Sequence, residues 1–102
     1  MIVINKKSAH NFKDYEQIYI GRGSIFGNPF RISENTSRKA CIEKYKQYFR
    51  NRFKEDIKFK TAVLSLVENH HDKALVCFCK PLPCHGDFIK RVVEEITARR
   101  RG

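Results

Sequence analysis

The sequence predicts a small α/β domain of the Rossmann-like type, built in two or three layers. Short β-branched runs at residues 2–4 and 17–20, and a longer apolar run at residues 74–79, are typical of buried strands. Between and after these runs, apolar residues recur at helical spacing. The predicted order is strand, strand, helix, helix, strand, helix, and strands that are separated by helices favour an α/β layer fold.

The first half of the chain supplies two strands and one helix. Residues 6–16 are polar and predict a connecting loop, and the glycine-rich residues 21–30 fit neither a helix nor a strand. The first helix is expected to begin near Thr36 or Ser37, because either hydroxyl can cap a helix amino terminus. Its apolar positions follow the spacing of one helix face: Cys41, Tyr45, Tyr48 and Phe49.

The second half supplies two helices around the longest strand. A break is predicted at residues 54–56, after which a second apolar stripe runs to residues 69–71. The last helix is expected over about residues 84–99, followed by a frayed basic tail at residues 99–102. The side chains expected to face the core from this helix include Ile89, Val92 and Ile96.

Length and composition indicate one domain, residues 1–102, of which 41% are hydrophobic. No apolar run approaches the roughly 20 residues that a membrane span needs. The amino terminus is unlike a secretory signal, because its charge follows its apolar residues. We therefore expect a cytoplasmic protein without a membrane partner, whose four cysteines are reduced thiols or metal ligands.

The formal net charge is +10, from 21 Lys and Arg against 11 Asp and Glu. This surplus favours anionic partners, either nucleic acid or small phosphorylated molecules. The alternative is that basic side chains on helix faces keep a small protein in solution, since no dense basic run occurs outside residues 99–101.

The glycine-rich stretch after the second strand is the first candidate binding element. Glycine permits positive φ and close approach of a ligand, so that backbone N–H groups can converge on an oxyanion. Arg22 can contact phosphate, Asn28 can recognise an amide or a base edge, and Phe26 can stack beneath a ring. The alternative is a surface loop rich in turn residues. The candidate ligand-binding residues are Gly21, Arg22, Gly23, Ser24, Phe26, Gly27 and Asn28, together with Pro81 from the second motif.

The second candidate element is the motif Cys77-x-Cys79-x₄-Cys84-His85, with Asp87 beside it. A zinc site needs four ligands, and the candidates are Cys77, Cys79, Cys84 and His85. Alternatively, Cys84 or Cys79 is a nucleophile whose thiolate is stabilised at a helix start. A third interpretation has Cys84 and His85 lining a ligand pocket, with Asp87 accepting hydrogen bonds. In a fourth, the cysteines are small buried hydrophobic residues. The residues alone leave these four open.

The two motifs are expected to meet, because each follows a predicted strand. In a parallel arrangement both strands end at the same edge of the sheet, so their loops are neighbours. We therefore expect residues 21–29 and 77–87 to line one pocket, with Arg22 and His85 facing a shared anion position.

At these motifs the sequence resembles a family of phage and bacterial proteins, the domain of unknown function 4326. The matching stretches are residues 18–30 and 75–87, and residues 42–45 of the intervening helix fit as well. Phe78 stands where a tryptophan is usual in that family. A weaker likeness connects the strand–Cys-His–helix arrangement to the domain of unknown function 488. The resemblance implies a small Rossmann-type fold, a single site that joins both motifs and includes Pro29, and the host cytoplasm as the location of a phage-encoded member.

The expected function is the binding of a nucleotide or a nucleotide-derived phosphate ligand between the two motifs. Transfer or hydrolysis at a phosphate or glycosidic bond is the activity that such a pocket would support. The candidate catalytic residues are His85, Asp87 and Cys84, with His85 favoured because its reference pKa lies near neutrality. The alternative is a non-enzymatic, zinc-stabilised module that binds nucleic acid or a host protein.

Overall fold

The computed structural model describes residues 1–101 and confirms the mixed α/β class. The chain forms, in order, β1 (Ile2–Asn5), a 3₁₀ helix (Lys6–Phe12), β2 (Glu16–Tyr19), α1 (Arg38–Glu55), α2 (Ile57–Val67), a short 3₁₀ turn (His70–Asp72), β3 (Lys73–Cys77) and α3 (His85–Arg101).

The three strands form one parallel sheet in the order β1, β3, β2. β3 is central, and all five of its residues are buried. Because both neighbours run parallel to β3, the carboxyl ends of all three strands lie at one edge of the sheet. Asn5, Tyr19 and Cys77 mark this edge, from which the loops after β2 and β3 both leave.

The two faces of the sheet are covered differently. Leu75 and Cys77 of β3 belong to the main core, which lies between the sheet and the three α-helices. Ala74 and Val76 point the opposite way, into a smaller cluster that also contains Ala9 of the first 3₁₀ helix. This alternation follows from the period of two in a strand, and it gives an asymmetric layering with α-helices on one face.

The helices α1 and α2 each begin at a recognisable local signal. The Ser37 side chain accepts a hydrogen bond from the amide of Ala40 and caps α1. Asp56 separates α1 from α2 and accepts bonds from the amides of Lys58 and Phe59. The stripe of α1 is buried at Cys41, Tyr45 and Phe49, and α3 buries Phe88, Ile89 and Val93.

Three local details differ from the sequence prediction. β3 ends at Cys77, so Cys79 lies in the loop that follows. The amide of Leu82 donates a hydrogen bond to the carbonyl of Cys79 (2.8 Å), which closes a turn there. Residues 6–16 contain the 3₁₀ helix, whose start is capped by Asn5. α3 continues through Arg101, while the last residue of the predicted tail, Gly102, lies outside the described residues.

None of the helices in residues 1–101 combines the length and apolarity needed to span a membrane.

Candidate functional site

A cleft of about 590 Å³ opens at the sheet edge where β2 and β3 end. Its walls come from the end of β2 and the glycine-rich loop, from residues 28–32, from the first turn of α1, and from the segment between β3 and α3. The cleft therefore collects parts of both sequence motifs, as the parallel arrangement of the two strands requires.

The predicted site residues divide into two groups. Those that line the cleft are Gly21, Arg22, Asn28, Cys77, Cys79, Cys84 and His85. Those that do not line it are Gly23, Ser24, Phe26, Gly27, Pro29, Pro81 and Asp87. The division follows from the hydrogen bonds and the packing of each segment.

The glycine-rich loop consists of two successive turns. The amide of Ser24 donates to the carbonyl of Gly21 (3.1 Å), and the amide of Gly27 donates to the carbonyl of Ser24 (3.0 Å). Gly23 adopts a φ of +90°, which side-chain-bearing residues rarely occupy. Because these two amides are bonded within the loop, they do not form the anion cradle that the sequence suggests.

Phe26 belongs to the core and does not face the cleft. Its side chain is buried and packs against Phe59, with ring centroids 6.1 Å apart. Its carbonyl accepts a bond from the Tyr45 hydroxyl (2.7 Å), which anchors the loop to α1. Phe26 therefore packs in the core and is not placed to stack beneath a ligand ring.

Asn28 lines the cleft, but both ends of its amide are bonded to the backbone. Its Nδ2 donates to the carbonyl of Cys41 (3.3 Å), and its Oδ1 accepts from the amide of Phe30 (2.9 Å). Asn28 thus holds residues 28–30 against the start of α1.

Three arginines face the cleft: Arg22, Arg31 and Arg38. Arg38 donates to the carbonyl of Pro83 (3.2 Å) and so connects the start of α1 to the loop before α3. No Asp or Glu lines the cleft among the described residues. The cleft is consequently a region of positive potential, reinforced by the amino termini of α1 and α3 at its wall.

Arg31 and Arg38 are absent from the sequence prediction. Arg38 directly follows the predicted cap of α1, a position from which a side chain can reach an anion at the helix start, so a signal existed for it. Arg31 lies in a segment without periodicity, and nothing in the sequence distinguishes it from other exposed arginines.

His85 is buried at the first position of α3, with 6% of its surface exposed. Its Nε2 lies 2.7 Å from the carbonyl oxygen of Ile20, and its ring packs edge-on against Tyr45. Burial lowers the pKa of His85, so the neutral imidazole donates its Nε2 proton to Ile20. Only Nδ1 of His85 then remains for the exchange of a proton with a ligand.

Asp87 is engaged in holding the loop before α3. Its Oδ2 accepts from the amide of Cys84 (3.1 Å), which satisfies a donor at the helix start, and its Oδ1 pairs with Lys80. Pro81 is exposed on the same loop, where its peptide bond to Lys80 is cis.

The sulfur atoms of Cys77, Cys79 and Cys84 lie within 4.8 Å of one another. Cys77 and Cys84 are buried and their sulfur atoms are 3.5 Å apart, whereas Cys79 is half-buried. His85 does not belong to this group, because neither of its ring nitrogens lies within 4.8 Å of all three sulfur atoms. The described residues therefore contain a thiol cluster that could hold a metal ion, with three of the four predicted ligands.

The two buried thiols are hydrogen-bonded to each other, and each affects the pKa of the other. The pKa of Cys77 is lowered by its hydrogen bond with Cys84 and by the amides of Cys79 and Lys80, which favour its thiolate. The pKa of Cys84 is raised by the same bond and by burial. Cys77 is thus the more acidic member of this pair.

Two exposed aromatic rings stand at the rim of the cleft. Tyr19 and Phe78 are 42% and 62% exposed, and their rings make an edge contact with centroids 6.2 Å apart. Tyr19 is the last residue of β2 and Phe78 is the first residue after β3, so the parallel sheet brings them together. Exposed rings beside a cationic cleft can pack against the flat face of a ligand.

Comparison with known proteins gives one family and one relative. The family model "Domain of unknown function (DUF4326)" matches residues 3–95. The chain is 34% identical over 94 residues to the "Uncharacterized 12.4 kDa protein in nrdA-td intergenic region" of Enterobacteria phage T4, and this alignment covers 92% of the chain and 78% of that protein. No solved structure matches the chain.

Proposed function

The chain belongs to the family of the domain of unknown function 4326, and we propose that it binds a nucleotide or a nucleotide-derived phosphate ligand in the cleft between residues 21–29 and 77–87. The observation that carries this proposal is the set of three arginines on walls that contain no carboxylate among the described residues. Arginine guanidinium groups pair with phosphate oxygens through two parallel N–H donors, so three of them can neutralise more than one phosphate.

The rim of the cleft supports a ligand with a flat, apolar part. Tyr19 and Phe78 present exposed rings on the side where β2 and β3 end. A base can stack on such rings, and stacking tolerates any base because every base has a π face. Phosphate and base recognition in one cleft favours a nucleotide over inorganic phosphate.

The sheet edge is also where a Rossmann-like fold would place this ligand. The parallel order β1, β3, β2 and the cleft at the strand carboxyl ends support assignment to that fold type. The free state of all four cysteines supports a reducing compartment such as the cytoplasm, which is the host cytoplasm for a phage-encoded protein.

The contacts of the candidate catalytic residues favour binding over proton transfer. His85 is bonded through Nε2 to Ile20, Asp87 is bonded to the amide of Cys84 and to Lys80, and the Cys84 thiol is hydrogen-bonded to Cys77. A transferase or hydrolase reaction would have to draw on His85 Nδ1 or on the sulfur of Cys77.

Calorimetric titration with nucleoside mono-, di- and triphosphates tests this function. Arg22→Ala and Arg31→Ala should each weaken binding roughly 10- to 150-fold, since a hydrogen bond to a charged group contributes roughly 1.5–3 kcal/mol. Arg91→Ala is the matched control, because it removes the same charge from an exposed position of α3 away from the cleft. Failure of the intact protein to bind any of these ligands, or an equal loss in the control, would contradict the proposal.

The second candidate is a zinc-stabilised module that binds nucleic acid or a host protein. The thiol cluster supports the zinc part, and a groove of about 440 Å³ between α1 and α3 supports the nucleic-acid part. The groove carries five cationic side chains and one acidic one: Lys46, Arg50, Lys54, Arg91, Arg99 and Glu95. On each helix these charges recur every four residues, so each helix presents its charges in a row along the groove.

Salt dependence separates this second candidate from the first. If the groove binds a nucleic-acid backbone, affinity for single or double strands should fall steeply with salt, and Arg50→Ala should reduce the slope of log K against log salt by about 1. Arg22→Ala should leave that slope unchanged. If the protein binds no nucleic-acid strand at low salt, the hypothesis of nucleic-acid binding is excluded. The charge of +10 then serves small ligands or solubility.

A further inference from the structure

The thiol cluster has the dimensions of a metal centre. In a tetrahedral zinc site, zinc–sulfur bonds of about 2.3 Å place neighbouring sulfur atoms about 3.8 Å apart. In the structure the sulfur atoms of Cys77 and Cys84 are 3.5 Å apart, and all three lie within 4.8 Å of one another. Shifts of well under 1 Å therefore bring the three sulfur atoms to the spacing of one ion.

The surroundings of the three sulfur atoms differ from those of an ordinary buried cysteine. The amide of Gly86 donates to the sulfur of Cys84 (3.3 Å), as amides do around metal-bound thiolates. Cys41 offers an internal comparison, since it is buried on α1 and belongs to no such group. All three clustered cysteines also line the cleft, so an ion has a path of entry.

No fourth protein ligand completes the cluster within residues 1–101. Of the nearest candidates in sequence, His85 has no ring nitrogen within 4.8 Å of all three sulfur atoms, and Asp87 is bonded to the amide of Cys84 and to Lys80. Zinc sites that only stabilise a fold are closed by four protein ligands, whereas three protein ligands leave a position for an outside group.

We propose that Cys77, Cys79 and Cys84 bind one zinc ion whose fourth coordination position opens into the arginine-lined cleft. The ion differs in purpose from the zinc of a stabilised module, because it faces a ligand space. The outside group is a water molecule or an oxygen donor of the anion that Arg22 and Arg31 hold; this last identification rests on the proposed nucleotide function.

Metal content is the first measurement. Intact protein, chelated and then exposed to zinc, should retain one ion per chain after dialysis, and Cys79→Ser should lower the affinity for zinc at least tenfold. Cys79 is the variant of choice because it is half-buried, so the fold should tolerate its change. Cys41→Ser is the matched control and should retain the ion. The proposal is overturned if the intact protein retains no zinc, or if Cys79→Ser retains it as firmly as Cys41→Ser.

The open position is tested on the protein loaded with cobalt, whose absorption reports both thiolate ligation and changes at the remaining position. Cys79→Ser should reduce the sulfur-to-cobalt band by about one third, as expected for two thiolates in place of three. Adding azide, a small coordinating anion, should shift the visible bands of the intact protein. An absence of any shift, together with loss of the bands in His85→Gln, would show a closed site with His85 as fourth ligand and would overturn the proposal.

The two proposals fail separately. Arg31→Ala should lose nucleotide affinity while keeping zinc and the response to azide. Chelation should leave the protein folded by circular dichroism, because most of the main core consists of apolar side chains other than Cys77 and Cys84. Unfolding on chelation would identify a structural zinc and would overturn the open site, whatever the outcome of the nucleotide titrations.

Discussion

The Nε2 atom of His85 lies 2.7 Å from the carbonyl oxygen of Ile20 and joins two segments that are 65 positions apart in the chain. Ile20 in turn donates its amide to the carbonyl of Val76 (2.9 Å), which extends the pairing between β2 and β3 by one bond. His85 therefore fixes the start of the glycine-rich loop against the start of α3. The relative position of the two motifs depends on this contact.

His85→Ala should destabilise the fold by about 2–4 kcal/mol. The substitution leaves the carbonyl of Ile20 without its buried partner and removes the ring that packs on Tyr45. Denaturant unfolding of the chelated protein measures this loss without any contribution from metal. His71→Ala is the control, because His71 is exposed and its loss should change stability by less than about 0.5 kcal/mol.

Acidification should weaken the fold through the same residue. Burial lowers the pKa of His85 from its usual value of 6.5, so the folded state resists a proton that the unfolded chain accepts. Well above pH 6.5 both states hold a neutral imidazole, and His85 adds no pH dependence. As pH falls below that value, the unfolded chain binds more protons and stability decreases until the folded pKa is reached.

The comparison of melting temperatures near pH 7.5 and pH 5.5, with chelator present, measures this effect. His85→Gln keeps a side-chain donor for the Ile20 carbonyl and cannot titrate, so its melting temperature should fall less on acidification than that of the intact protein. An equal fall in both proteins would assign the pH dependence to other groups.

Phe78→Ala should weaken nucleotide binding about tenfold, the effect of losing one stacking ring. Phe78 is 62% exposed, so its removal should leave the fold unchanged. Affinity for inorganic pyrophosphate, which has no base, should stay the same. Phe78→Trp enlarges the stacking ring and should bind nucleotides at least as tightly. An equal loss of nucleotide and pyrophosphate affinity in Phe78→Ala would contradict base stacking at the rim.

The parts of the fold that the sequence predicts are those with local causes. The start of α1 at Ser37 and the break at Asp56 are visible because each cap bonds to amides two or three positions ahead. The meeting of the two motifs follows from strand direction alone, once the sheet is taken as parallel.

The parts that it does not predict depend on distant contacts. Asn5 donates to the carbonyl of Lys80, 75 positions away, and helps to hold Cys79 in a loop beyond the end of β3. The glycine-rich surroundings of Phe26 suggest a ligand contact, whereas its burial is decided by Phe59 on α2. Arg31 joins the cleft only through the path of residues 28–32, which has no periodic signal.

Gly86→Ala sets helix propensity against packing, and packing should decide the outcome. Alanine in place of glycine favours a helix by up to about 1 kcal/mol. A methyl group at residue 86, however, would lie 2.7 Å from Cδ1 of Ile20 and 2.9 Å from Cγ1 of Val3. Ile20 is fully buried and has little room to move, and overpacking of this kind costs about 1–3 kcal/mol. We expect a net loss of stability in chemical unfolding.

A double-mutant cycle identifies the cause of that loss. Ile20→Val removes the Cδ1 atom that the new methyl group would meet, and by itself it should cost about 0.5–1.5 kcal/mol because it shortens a buried side chain. In the presence of Gly86→Ala the same change should cost less, or should stabilise the protein, since it relieves the clash. Additive costs would mean that α3 moves away from the sheet to accept the methyl group. Such a movement would also reduce the burial that lowers the pKa of His85, so the pH dependence assigned to His85 would shrink in Gly86→Ala.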